Sequence, residues 1–173
     1  MLNNKNFNAS TTNWIGLWTL FSKETTRFLK VFYQTVLAPV VTNILFLTVF
    51  LIVIDRDDFV VGGVSYSEFL VPGLIMMQIL QNSFMNTSST IMISKVQGNI
   101  VDILLPPLSS LELTLALSFG GVARGMIVGL ASTIALYFFI DMKFINFFYI
   151  IFFSFSGSLS LSLLGIMGGI WSE

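Results

Sequence analysis

The chain has 173 residues, 55% of them hydrophobic and 10% charged, with a formal net charge of −1 and a mean hydropathy of +0.88. A soluble domain carries about a quarter charged residues, so the composition points to lipid as solvent, and the charge balance argues against a nucleic-acid partner. Neither cysteine nor histidine is present; with them go disulfides, thiolate nucleophiles and the commonest general base and metal ligand, and no metal or cofactor is expected.

Residues 1–12, "MLNNKNFNASTT", form a polar tail with no apolar core and small-residue cleavage site, so no cleaved signal peptide is expected. Residues 13–30 read as an amphipathic helix capped by Asn13. Trp14, Leu17, Trp18, Phe21 and Phe28 share one face, and Lys23, Arg27 and Lys30 lie opposite. Aromatic and basic faces in this arrangement suit a helix lying in the membrane interface, with lipid headgroups as partner. The alternative is an amphipathic helix packed on protein.

Residues 36–54, "VLAPVVTNILFLTVFLIVI", make an uncharged stretch of nineteen, long enough at about 1.5 Å per residue to cross one hydrocarbon core. Pro39 near its start predicts the bend from the interfacial helix. After the loop "DRDDFVVGGV", Ser65 and Glu68 are spaced as a capping box for a second span over 66–93, with a kink predicted at Pro72. Residues 94–109 form a loop holding a short apolar helix, Asn99 to Leu105, stopped by Pro106 and Pro107. Ser109 and Glu112 make another capping box, opening a third span over 110–140, and 147–170 is the fourth. The predicted fold is therefore an all-α polytopic membrane protein, one transmembrane domain with an interfacial helix and four spans. An even number of spans places both ends on one side. Lys5, Lys23, Arg27, Lys30 and Lys95 against Arg56 and Lys143 make that side the cytoplasmic one.

No G-x-x-x-x-G-K-[ST] motif and no suitably placed carboxylate pair is present, so neither ATP hydrolysis nor other catalysis is expected of this chain. Three features remain. Gln78, Gln81, Asn82 and Ser89 lie on one side of the second span, with Asn86 at the edge. They either bond helices together or line a translocation path or subunit interface. Gly121, Gly125 and Gly129 form a small-residue stripe on the third span, matched by Ser154, Ser158, Ser162, Gly165 and Gly169 on the fourth, which lets helices approach closely. Apart from the cap residues Glu68 and Glu112, Arg124 is the one charge inside a predicted span. Its place about one turn from the cytoplasmic edge predicts snorkelling toward headgroups rather than pairing with a substrate.

The order of parts resembles a known family. "YQTVLAPVVTNILF" follows the basic amphipathic helix, "FLVPGLIMM" opens the second span, "KVQGNIVDILLPP" lies in the loop and "GGVARGMIVG" opens the third span. Together, from about Trp14 to the end, they are similar to permease subunits of ABC-2 type transporters, bacterial exporters of drugs, polysaccharides and lipid-linked oligosaccharides. The resemblance implies a bacterial inner-membrane subunit that pairs with a second permease copy, as homodimer or heterodimer, and with a separate ABC ATPase subunit. It also implies a coupling helix in the first cytoplasmic loop, matched here by Asn99, Ile100, Asp102, Ile103 and Leu104. On a helix, Ile100, Ile103 and Leu104 share a face that fits a partner's groove. Family members usually have six spans; this chain ends at Glu173 after the fourth, which reads as a truncation. The competing hypothesis is a non-transporting four-span scaffold or decayed permease.

Overall fold

The computed structural model describes residues 13–54, 60–61, 63–140 and 146–172. The polar tail, the charged segment from Asp55 to Asp58, Lys143 and Glu173 lie outside the described residues.

Helix α1 spans Trp14–Lys30. The Asn13 side chain accepts from the Gly16 N–H at 3.0 Å, satisfying one of the free donors of its first turn. The ladder breaks at Val31 (φ −111°, ψ 39°) rather than at Pro39. A π-helical turn, Tyr33–Leu37, then runs directly into α2, Ala38–Ile54. Pro39 has no N–H to offer the carbonyl one turn back, and the wider π turn just before it takes up that missing bond. Thr35 ties the joint, donating to the Phe28 and Val31 carbonyls at 2.9 and 3.1 Å.

Strands β1 (Val60–Val61) and β2 (Val64–Ser65) form a minimal antiparallel hairpin, with Gly63 in the left-handed region at φ +88°. Helix α3, Tyr66–Val96, begins where the Ser65 hydroxyl accepts from the Glu68 N–H at 3.4 Å and continues through Pro72. Helix α4 is a single turn, Val101–Leu104. It is shorter than the predicted Asn99 to Leu105 because its entry is tighter than an α turn, with Asp102 N–H on the Asn99 carbonyl and Ile103 N–H on Ile100. Helix α5, Ser110–Tyr137, starts on a complete capping box. Glu112 N–H donates to the Ser109 hydroxyl at 3.3 Å, and Ser109 N–H donates to the Glu112 carboxylate at 2.7 Å. Helix α6 is Phe147–Trp171.

The protein is an all-α polytopic membrane protein. Among the described residues, Tyr33–Ile52, α5 and α6 are long and apolar enough to cross a membrane, and α3 is not among them. The reason lies in its position: α3 is the central helix, packed most extensively on α6 and then on α5. Much of its polar surface is buried, including Gln78, Asn82, Ser83, Asn86, Thr87 and Thr90. Where protein surrounds a helix, side-chain hydroxyls and carboxamides find partners that lipid cannot supply.

The glycines explain how close the helices come. A Cβ at Gly121 would sit 2.9 Å from the Ser83 carbonyl, one at Gly125 2.7 Å from the Ile79 carbonyl, and one at Gly165 2.6 Å from the Phe84 carbonyl. At Gly129 it would meet the Ile79 side chain at 2.6 Å. Hydroxyls bridge the resulting contact: Ser83 and Ser158 lie 2.5 Å apart, Thr87 donates to the Ser162 carbonyl at 2.9 Å, and Ser162 donates to the Ser118 carbonyl at 3.0 Å. Two apolar clusters flank this contact. Leu47, Val71, Leu74 and Leu136 join α2 to α3 and α5. Ile91, Leu117 and Ile166 join α3, α5 and α6, with Leu20 of α1 and Ile100 against them.

One end of the bundle is tied together. Lys95 donates to the Ile170 and Ser172 carbonyls at 2.6 and 2.7 Å, closing the C-terminus of α6 onto that of α3. Asn13 N–H donates to the Glu112 carboxylate at 2.6 Å, so α1 and α5 begin side by side. The α4 segment lies at this same end.

Candidate functional site

Residues 78, 82, 86 and 90 stand one helical turn apart, so α3 presents a polar line along one side. Asn82 donates to both the main-chain carbonyl and the side-chain oxygen of Gln78, at 3.0 and 3.2 Å. Arg124 of α5 donates to the Asn82 carbonyl oxygen, Nη2 to Oδ1, at 3.3 Å. Arg124 is half-buried, so the bundle takes one of its donors. Asn82 supplies an acceptor inside the bundle, and the guanidinium turns to it; the Nε of Arg124 is buried without a partner among the described residues.

One turn further along, α1 enters the line. The Glu24 side chain is 4% exposed and sits 3.0 Å from the Arg27 guanidinium. Thr90 donates to the same carboxylate at 2.8 Å. Arg27 Nη2 also contacts the Thr90 hydroxyl and donates to the Asn86 carbonyl at 3.3 Å and to its Oδ1 at 3.5 Å. Glu24 reaches this position because α5 carries Gly120 opposite it, where an added Cβ would lie 2.9 Å from the Glu24 Cβ. Arg27 therefore faces the bundle, in contrast to the headgroup orientation expected of all three bases. The Glu24 carboxylate and the Asn86 and Thr90 oxygens supply its acceptors there. Phe28, expected on the lipid side, is 2% exposed within protein. Lys23 and Lys30 remain exposed.

The predicted carboxamide set is thereby divided. Gln78, Asn82 and Asn86 lie in the chain's own interior: Asn82 and Asn86 accept from Arg124 of α5 and Arg27 of α1, and Gln78 accepts from Asn82 within α3. Gln81 is exposed, and Ser89 is half-buried and donates to the Asn86 carbonyl at 3.1 Å. Gly121, Gly125 and Gly129 are buried against α3. In the loop, Asn99 and Asp102 are exposed, Ile100 rests on the α3–α5–α6 cluster, and Ile103 is half-buried. The predicted single apolar face is therefore split: the aliphatics turned outward are Val101, Leu104 and Leu105, at 53%, 62% and 72% exposure. Ile100 leaves the set because the bundle offers it an apolar contact next to Leu117.

Glu24 is the residue that the sequence reading missed. Its signal is a lone acid at the i+7 position of a Leu17, Leu20, Phe28 line, three residues before a basic partner.

The ABC-2 type transporter model matches residues 16–173. The chain belongs to the ABC-2 type transporter family. It is 31% identical over 160 residues to the inner membrane transport permease YadH of Escherichia coli K12, and equally so to that of Shigella flexneri. The match covers 92% of this chain and 62% of each relative, so the chain spans less than two thirds of their length. No solved structure matches it.

Proposed function

We propose that this ABC-2 family chain is the membrane-spanning part of an ATP-driven exporter in the bacterial inner membrane. Two copies enclose the pathway, and a separate ABC ATPase subunit hydrolyses the ATP. The observation that carries the reading is the exposed side of α3. Met77, Gln81, Met85 and Met92 are exposed there and fall within about 80° of arc. The exposed sides of α2 and α6 are mainly aliphatic and aromatic, with Leu45, Phe46, Val49 and Ile52 on α2 and Phe148, Phe152 and Phe155 on α6. Their exposed polar residues are small hydroxyls such as Thr42, Thr48, Ser156 and Ser160 rather than carboxamides. Unbranched, polarizable methionines beside a carboxamide suit a surface that repacks against varied contacts. A helix facing only hydrocarbon gains nothing from Gln81. This face is our candidate for the pathway or copy–copy interface, in place of Gln78, Asn82 and Asn86.

In this reading both termini are cytoplasmic, α1 lies at the cytoplasmic membrane surface, and the end carrying α4 meets the ATPase. Val101, Leu104 and Leu105 are the anchors for its groove. The test is co-expression with a P-loop ATPase encoded beside this gene, in the full-length context of the subunit. Co-purification and substrate-stimulated ATP hydrolysis are expected, and Leu104→Asp should abolish co-purification while leaving membrane insertion intact. An ATPase that copurifies equally with Leu104→Asp removes α4 as the coupling element; no association at all removes the exporter reading.

A further inference from the structure

A shallow, open groove runs along the outer side of α1; its lining, which includes Trp18, Ser22, Lys23, Thr26, Arg27 and Lys30, comes wholly from this helix and its C-cap. We infer that this groove is a phosphate site whose occupant is the headgroup of an anionic phospholipid. The charge pattern is the first ground. Lys23 and Lys30 contribute two exposed cations to one wall, beside the flank of the inward-paired Arg27. The acid of the same helix segment, Glu24, is turned into the bundle, where it pairs with Arg27 and leaves the charges of Lys23 and Lys30 uncompensated in the groove.

The second ground is hydrogen-bonding capacity. The hydroxyls of Thr19 and Thr25 bond back to the carbonyls one turn earlier. Ser22 and Thr26 make no such bond among the described residues, and both line the groove, one turn apart between the aromatic and basic margins. Phosphate oxygens accept from hydroxyls and ammonium groups alike, so these donors match a phosphodiester. Arg27 adds to the fit, since its inward bonds all run through Nη2.

The third ground is the aromatic margin. Trp18 is 66% exposed and Trp14 72%, on the side of the groove away from the lysines. Tryptophan prefers the boundary between headgroup and acyl chain. A lipid whose phosphate lies among Lys23, Thr26 and Lys30 therefore has its glycerol and chains beside Trp18, which a free phosphate ion leaves unused. The choice of a lipid over a soluble phosphate rests on α1 lying at the membrane surface, as proposed above; it does not depend on transport.

Native mass spectrometry of the purified protein supplied with phosphatidylglycerol or phosphatidylcholine provides the test. One retained phosphatidylglycerol per chain is expected, with little phosphatidylcholine. The double variant Lys23→Gln/Lys30→Gln should weaken retention about thirtyfold, from two lost contacts to an anionic lipid. Its melting temperature in neutral lipid should match that of the parent, which separates lost binding from lost folding. Equal retention of the two lipids, or full retention by the double variant, overturns the inference. Displacement of the lipid by millimolar inorganic phosphate assigns the groove to a soluble phosphate and overturns the lipid assignment. A spin label at Trp18 read in neutral nanodiscs tests the membrane placement of α1 separately.

Discussion

Substitution of Gly125 by alanine tests the claim that backbone approach, rather than lipid exclusion alone, holds α3 and α5 together. The added methyl would lie 2.7 Å from the Ile79 carbonyl and would run into the Ser83 hydroxyl, with the Ser158 hydroxyl 3.2 Å away. A carbonyl in an intact helix cannot swing aside, so the two helices must separate by several tenths of an ångström. Overpacking of this kind costs about 1–3 kcal/mol. Separation also strains the Ser83–Ser158 bond that bridges α3 to α6, worth about 0.6 kcal/mol in a membrane bundle. Alanine returns up to about 1 kcal/mol of helix propensity. The balance is a loss of about 2 kcal/mol, or a melting temperature lower by about 4–8 °C for a chain of this size. The measurement is thermal unfolding in detergent, followed by fluorescence-detected size exclusion. Gly73→Ala is the internal control, because a Cβ there meets nothing within 4 Å; it should leave the melting temperature unchanged or raise it slightly. If Gly125→Ala melts with Gly73→Ala, the close packing of α3 on α5 is not what stabilises the bundle.

Glu24→Ala leaves Arg27 without its carboxylate and should destabilise by about 1.5–3 kcal/mol, the range for a hydrogen bond to a charged group, since Arg27 is itself partly exposed; the double variant Glu24→Gln/Arg27→Gln should recover part of it, and equal melting of the two would show that the pair is not coupled. Arg124→Leu removes the guanidinium from Asn82 and should cost about 1 kcal/mol, a typical net hydrogen bond; a loss several times larger in a thermal melt would mean that the arginine has further partners. A reporter fused after Glu173 should be active only on the cytoplasmic side, as the positive-inside bias of lysine and arginine predicts, and activity outside would reverse the orientation.

The fold class was legible because two periodic signals agree. Long uncharged runs set the membrane helices, and cap residues set where several begin. Asn13 and Ser109 bond as their spacing predicts, since capping is decided within four residues and needs no tertiary information. The joint between α1 and α2 was misplaced for the opposite reason. Pro39 marks a missing bond, but whether that loss becomes a bend or a π turn depends on what packs around Tyr33–Leu37, and Val36 and Thr35 are buried there.

The polar seam shows where a one-dimensional reading runs out. Helical periodicity puts Gln78, Asn82 and Asn86 on one side, yet it cannot say whether lipid, a second copy or the chain's own helices lie opposite. That depends on Gly120, forty-two residues after Gln78, leaving room for Glu24 from α1. Once Glu24 is inside, Arg27 follows, because a lone carboxylate in a bundle is costlier than a paired one. Arg27 and Arg124 then reach α3 from different helices, and the carboxamides are the acceptors both can use. The same composition on an outward face reads identically in sequence and has a different use. Gln81 is the case in point: it lies one residue from the buried Asn82 and about 100° around the helix. That single step separates a side chain bonded inside the bundle from one on its outer surface.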